Sequence, residues 1–144
     1  FADEWSTAQY VGFVDSDTLF ITRPTEIDLF QGHRPRIIAE VGKPKTQWYE
    51  GVPRSTMEFL GQEEKISCMS YFPMIYVRHH LASLREHLLE RHAAIGIADL
   101  LLHLYSKHVQ RREPWMFVEF NVMCNYMLLM HHDAYSFHFQ EVQP

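Results

Sequence analysis

Apolar positions early in the chain come in short runs. Tyr10-Val11-Gly12-Phe13-Val14 is closed by Asp15-Ser16-Asp17, which predicts a buried strand that ends in a turn. Ahead of it, Asp3 to Gln9 predicts the end of a helix. Thr18-Leu19-Phe20-Ile21 resumes the extended apolar pattern, and Pro24 followed by Glu26, Ile27, Asp28, Leu29 and Phe30 predicts a helical turn with an acidic start, broken by Gly32. Arg36 to Glu40 predicts a second strand. Residues 42–53 contain Pro44, Gly51 and Pro53, and they predict a loop that carries the pair Trp48-Tyr49. A short helix is predicted over Ser55 to Leu60, and Ser70 to Tyr76 is strand-like but interrupted by Pro73, hence an edge or irregular.

The period then changes. Leu81, Leu84, Leu88 and Ile95 recur at near-helical intervals, with Arg85, Glu86, Glu90 and Arg91 on the polar face. Leu100 to His108 predicts another helix after Gly96. Beyond Pro114, the segment Trp115 to Met130 is apolar on nearly every face and predicts a buried helix, inside which sit Glu119, Asn121 and Asn125. Strands come first and helices last. No internal repeat or Ser/Gly linker divides the chain, which predicts one domain or one part of a domain.

At 144 residues and 47% hydrophobic, the chain has material for a core of ordinary domain size. Aromatic residues make up 14%, a surplus that suits stacking on a sugar or a base. A formal net charge of −5 argues against a nucleic-acid surface, since the basic stretch Lys107 to Arg112 is too local to displace phosphate counterions. Cys68 and Cys124 lack CxxC spacing and read as small buried hydrophobes. No apolar run approaches the roughly 20 residues that span a bilayer. The chain opens on Phe1 and reaches its acid-terminated strand at Tyr10, which predicts a fragment whose missing part lies upstream. Localisation stays open.

The acidic turn is where chemistry is expected. In open α/β sheets ligands collect beyond the carboxyl ends of strands. Two carboxylates one residue apart in such a turn can converge on one hard cation, Mg²⁺ or Mn²⁺ rather than zinc. That cation neutralises a diphosphate and stabilises it as a leaving group.

The stretch Tyr10 to Ile21, YVGFVDSDTLFI, resembles the DxD strand of GT-A-type glycosyltransferases, the nucleotide-diphospho-sugar transferase superfamily. The resemblance implies an α/β fold with a mixed sheet flanked by helices, in which residues 1–144 are part of a single catalytic domain lacking its N-terminal nucleotide-binding half. It implies transfer of a sugar from a nucleotide-diphosphate donor to the hydroxyl of a carbohydrate or other acceptor. Asp17 would ligate the metal, and Asp15 would contact the ribose or ligate through water. The loop bearing Trp48 and Tyr49 would form an acceptor lip.

Two further positions follow from the same resemblance. Glu119, flanked by large apolar residues, is expected to be a buried acid with a raised pKa, serving as general base or acceptor contact. Its other reading is a first-turn acid that complements the helix dipole. His138 lies in the alternating run Tyr135 to Phe139, which predicts a late strand. Many GT-A enzymes recruit a late histidine as a metal ligand, and a histidine between aromatics is otherwise a packed, hydrogen-bonded residue. Asp133 competes with it for the same role. The remaining histidines share no helix face at zinc-ligand spacing and HExxH is absent, so no chemistry is assigned to them.

Two alternatives come from other classes. A haloacid-dehalogenase-like phosphatase also ends an apolar strand with Asp-x-Asp, but places Thr or Val two residues after the second Asp, where this chain has Leu19. A non-catalytic binding module of the same fold would have no chemical need for both acids.

Overall fold

The computed structural model describes residues 2–42, 51–111 and 118–141, with side chains given from Ser55 in the second segment and up to Gln110. Trp48 and Tyr49 lie outside the described residues. The elements in chain order are α1 (Ala2–Trp5), β1 (Tyr10–Phe13), α2 (Glu26–Leu29), β2 (Phe30–Gln31), β3 (Arg34–Val41), α3 (Gly51–Leu60), β4 (Met74–Val77), α4 (Arg78–His92), α5 (Ile97–Arg111), α6 (Glu119–Met130) and β5 (Ser136–Glu141). The fold is mixed α/β, with small mixed sheets flanked by helices.

One sheet pairs β1 antiparallel to β4, with Tyr10 opposite Val77 and Phe13 opposite Met74. The other has the order β2-β3-β5. Gly32, at φ 63°, makes the tight turn between β2 and β3 that a side chain would strain. β3 and β5 then run parallel, from Arg36 opposite Ser136 to Val41 opposite Glu141.

Strand β3 obeys the two-residue period. Pro35, Ile37 and Ala39 are buried against the core, while Arg36, Ile38 and Glu40 lie half-buried on the opposite face. Strand β4 is buried at all four positions. The Pro73 that interrupts its sequence pattern sits just ahead of the strand, after a cis Phe72–Pro73 bond, where its missing N–H removes nothing from the ladder. Leu81 and Leu84 of α4, Leu100 and Leu104 of α5, and Met127 of α6 are nearly inaccessible and form the interior with Tyr76.

Helix α6 resolves the two asparagines inside the apolar segment. Asn125 accepts from the backbone N–H of Lys65 and Ile66 and donates to the carbonyls of Ile66 and Asn121. Asn121 accepts from the N–H of Cys68 and donates to Glu64, which also receives the Thr56 hydroxyl. Two buried amides thus do for the N–H groups of Lys65, Ile66 and Cys68 and the carbonyl of Ile66 what a neighbouring strand would do.

Several expectations are corrected here. The cysteines, read as separate hydrophobes, are both fully buried and joined as a disulfide that ties the segment before β4 to α6 across 56 residues. Thr18 to Ile21 forms no strand. Its chain turns away at Asp15, finds no strand partner among the described residues, and leaves Leu19 and Ile21 82% and 89% exposed. Helix α4 stops at His92, because Ala93 enters the left-handed region at φ 50° and its N–H caps the carbonyls of Glu90 and Leu89, so Ile95 lies outside the helix. Among the described residues, no helix is long and apolar enough to cross a membrane.

Candidate functional site

The register of β1 decides where the acidic pair emerges. With Phe13 opposite Met74, the chain leaves the sheet beside Phe72-Pro73 and folds at once into a turn in which the Thr18 N–H donates to the Asp15 carbonyl at 3.0 Å. The Ser16 N–H donates to Asp15 Oδ1 at 2.8 Å. Asp15 is half-buried with one carboxylate oxygen engaged in the turn, and Asp17 is exposed. The turn sets both acids just beyond the end of β1, and oxygen donors of this kind match a hard divalent cation.

Past the turn, Phe20, Thr22 and Pro24 border a cavity of about 430 Å³ whose other walls come from Arg36 and Ile38 of β3 and from Tyr71-Phe72 before β4. Asp28 also reaches it. The Thr25 N–H and hydroxyl both donate to Asp28 Oδ2, at 2.8 and 2.6 Å, closing a capping box on α2. These hydrogen bonds, with the Arg36 charge behind them, hold the Asp28 carboxyl below the usual carboxylate range. Arg36 donates from Nη1 to the Ile27 carbonyl at 3.0 Å, and its buried Nε has no acceptor among the described residues.

His138 stands on β5 opposite Ile38 and therefore on the same half-buried face of the sheet as Arg36 and Ile38. Its Nε2 lies 3.1 Å from Ser136 Oγ, whose proton goes to Gln31. Ser136 Oγ therefore accepts from His138, which places the imidazole proton on Nε2 and leaves Nδ1 as the nitrogen with a lone pair. Among the described residues, no three His, Cys, Asp or Glu side chains converge as a cation cage, so Asp15, Asp17 and His138 do not form a preassembled three-ligand site. Asp133 is exposed in the short turn before β5, beside the His132 ring.

Glu119 departs from the expectation of burial. It is the first residue of α6 and is exposed, at the rim of a second cavity of about 280 Å³ lined by apolar side chains such as Phe13, Phe59, Leu100 and Val122. Its apolar sequence neighbours point inward while the first-turn acid points to water, where it complements the helix dipole. Glu119 thus borders a different cavity from the one beside Arg36.

A histidine cluster went unassigned in the sequence. The rings of His80 and His131 stack at 3.8 Å and 5°, and His79 meets His80 edge-on at 4.3 Å. Tyr135 accepts the Val77 N–H, and its hydroxyl is hydrogen-bonded to His80 Nδ1 at 3.0 Å. Burial, and then the neighbouring His131 and His79, pull the His80 pKa down to about 4. His131 is lowered by burial and by His79. The doublets His79-His80 and His131-His132 are visible in the sequence, but nothing in it tells that α4 and the end of α6 bring them together.

No family model matches the chain, and neither a curated protein nor a solved structure matches it.

Proposed function

We propose that the chain is the metal- and diphosphate-binding part of a GT-A-type glycosyltransferase catalytic domain. It moves a sugar from a nucleotide-diphosphate donor to an acceptor hydroxyl, with Mn²⁺ or Mg²⁺ held by Asp15 and Asp17. The observation that carries this reading is the acidic turn at the carboxyl end of β1, which keeps one carboxylate half-buried and tied to the backbone and the other turned to solvent.

Both acids supply hard oxygen donors, and an exposed Asp17 is open to a cation that arrives with its donor. When bound, the cation would offset charge on the departing diphosphate. Asp15, anchored through Oδ1 by the Ser16 N–H, would have its other oxygen for the ribose or a metal-bound water. His138 can add a nitrogen only through Nδ1. Glu119 is the acid proposed to receive the acceptor proton, and its exposure makes its carboxylate accessible to a hydroxyl.

A thermal-shift panel of nucleotide-diphosphate sugars, with and without Mn²⁺, tests the reading on the full-length protein. The expected result is stabilisation by one donor that needs the metal and disappears in Asp17→Ala. Metal-dependent stabilisation that survives in Asp17→Ala, or no response to any donor from a folded protein, would remove the assignment.

A further inference from the structure

We infer that the cavity between the segment following the acidic turn and β3 is a subsite for an acidic sugar, whose carboxylate or phosphate is held by Arg36. That the sugar is a unit of the acceptor other than the one whose hydroxyl Glu119 would deprotonate, since Glu119 borders a different cavity, rests on the function proposed above; that the cavity takes an oxyanion does not.

The volume, about 430 Å³, falls in the range of small-molecule sites, and the wall mixes polar groups with ring faces. Phe20, Tyr71 and Phe72 supply aromatic surface. Phe72 is held by an edge-on contact with Phe120 at 4.9 Å, and the Tyr71 hydroxyl is bonded to Gln140, so two of the three rings are fixed before any ligand enters. Such faces suit the C–H side of a pyranose.

Charge selects the ligand. Arg36 is the basic residue of the wall, and its bond to the Ile27 carbonyl fixes the plane of the guanidinium. Its Nε is buried with no acceptor among the described residues, so a ligand in the cavity meets the guanidinium at its terminal nitrogens. A guanidinium whose bond goes to a neutral carbonyl keeps an uncompensated charge, and its planar array of N–H groups fits the oxygens of a carboxylate or phosphate. The acid closest at hand does not fill that role. Asp28 is occupied by the Thr25 N–H and hydroxyl, and among the described residues Arg36 makes no ion pair within 4.0 Å. The missing partner is supplied by a ligand. The acidic turn is three residues upstream of Phe20, so a sugar in this cavity sits beside the place where the donor diphosphate is proposed to bind.

Calorimetry on the full-length protein in EDTA, with glucuronate, glucose 6-phosphate and glucose as probes, tests the subsite apart from the metal site. Both acidic sugars are expected to bind at least tenfold more tightly than glucose. Arg36→Gln should lose at least tenfold for the acids and nothing for glucose, Arg36→Lys should fall between, and Asp17→Ala should bind the acids as wild type does. If no donor stabilises the protein yet this pattern holds, the oxyanion site stands and the glycosyltransferase reading falls. Equal affinity for glucose and the acids, no binding of either acid, or undiminished acid binding in folded Arg36→Gln and Arg36→Lys would overturn the inference. Loss of Mn²⁺-dependent donor stabilisation in Arg36→Gln would overturn it too, by assigning Arg36 to the donor.

Discussion

Residues 14–29 and helix α6 use apolar side chains in opposite ways. In the first region Val14, Leu19, Ile21 and Ile27 are more than half exposed, and the polar residues make the local bonds: Asp15 to Ser16 and Thr25 to Asp28. In α6 every residue from Phe120 to Met127 is buried, and the two polar side chains among them are bonded to a distant segment. Stability is concentrated in the helix and its disulfide, while the acidic turn is held by short-range contacts that a ligand can compete with or complete. Substitutions should therefore separate: large effects on folding from α6, large effects on ligand binding from the turn.

The largest expected effect on folding is at Asn125. Replacing it with Ala leaves two backbone N–H groups and a carbonyl near residues 65 and 66 without partners, and should cost about 3–5 kcal/mol in urea unfolding. A loss below about 1 kcal/mol would show that water replaces the amide. Next is the disulfide. On the chain-entropy model, a link across 56 residues stabilises by about 4 kcal/mol, so Cys68→Ser should lower stability by roughly 2–4 kcal/mol and make the protein insensitive to reductant. If Cys68→Ser melts as the wild-type protein does, the cross-link contributes nothing.

A smaller effect should follow pH. His80 is held near pKa 4 in the fold against 6.5 for the free side chain, so between these values the unfolded chain takes up a proton that the folded protein refuses. Stability therefore falls as pH drops from about 6.5 toward 4, by about 1–2 kcal/mol between pH 7 and 5, with His131 adding in the same direction. In His80→Phe that slope should flatten, and an unchanged slope would assign it to other groups. The smallest effect on folding is expected at the turn. Asp17→Ala should shift unfolding by no more than roughly 0.5 kcal/mol, because Asp17 is exposed. A drop beyond about 1 kcal/mol would mean that the turn is part of the structural frame after all.

How much of this could be read from the chain follows from which forces are local. The strand at Tyr10 to Phe13, the acidic-start turn of α2, β3 and the late strand around His138 were legible, because apolar runs bounded by turn formers carry their own signal. The mixed α/β class was legible for the same reason. Thr18 to Ile21 carried an equal signal but formed no strand, since a strand needs a partner that local sequence does not name. The Cys68–Cys124 link, the asparagine bonds to residues 65–68 and the His80–His131 stack all join positions about fifty or more residues apart, and no spacing rule reaches that far. Of the candidate site, Asp15 and Asp17 are singled out by their motif alone. Glu119 was expected to be buried because its sequence neighbours are apolar, but at the first position of a helix neighbours in sequence point to different sides. Arg36, proposed to hold an oxyanion, carries no signal in the sequence, since a guanidinium with no ion pair among the described residues is visible only once the cavity around it has formed.

The central claim is that the acidic turn holds a divalent cation beneath a diphosphate. Electron paramagnetic resonance of Mn²⁺ titrated with the full-length protein and a nucleoside diphosphate measures this directly, because bound and free manganese differ in signal. The account predicts that Mn²⁺ is immobilised only when protein and nucleotide are both present, and that Asp17→Ala weakens this at least tenfold while the fold stays intact. Equal immobilisation by Asp17→Ala and the wild-type protein would contradict it.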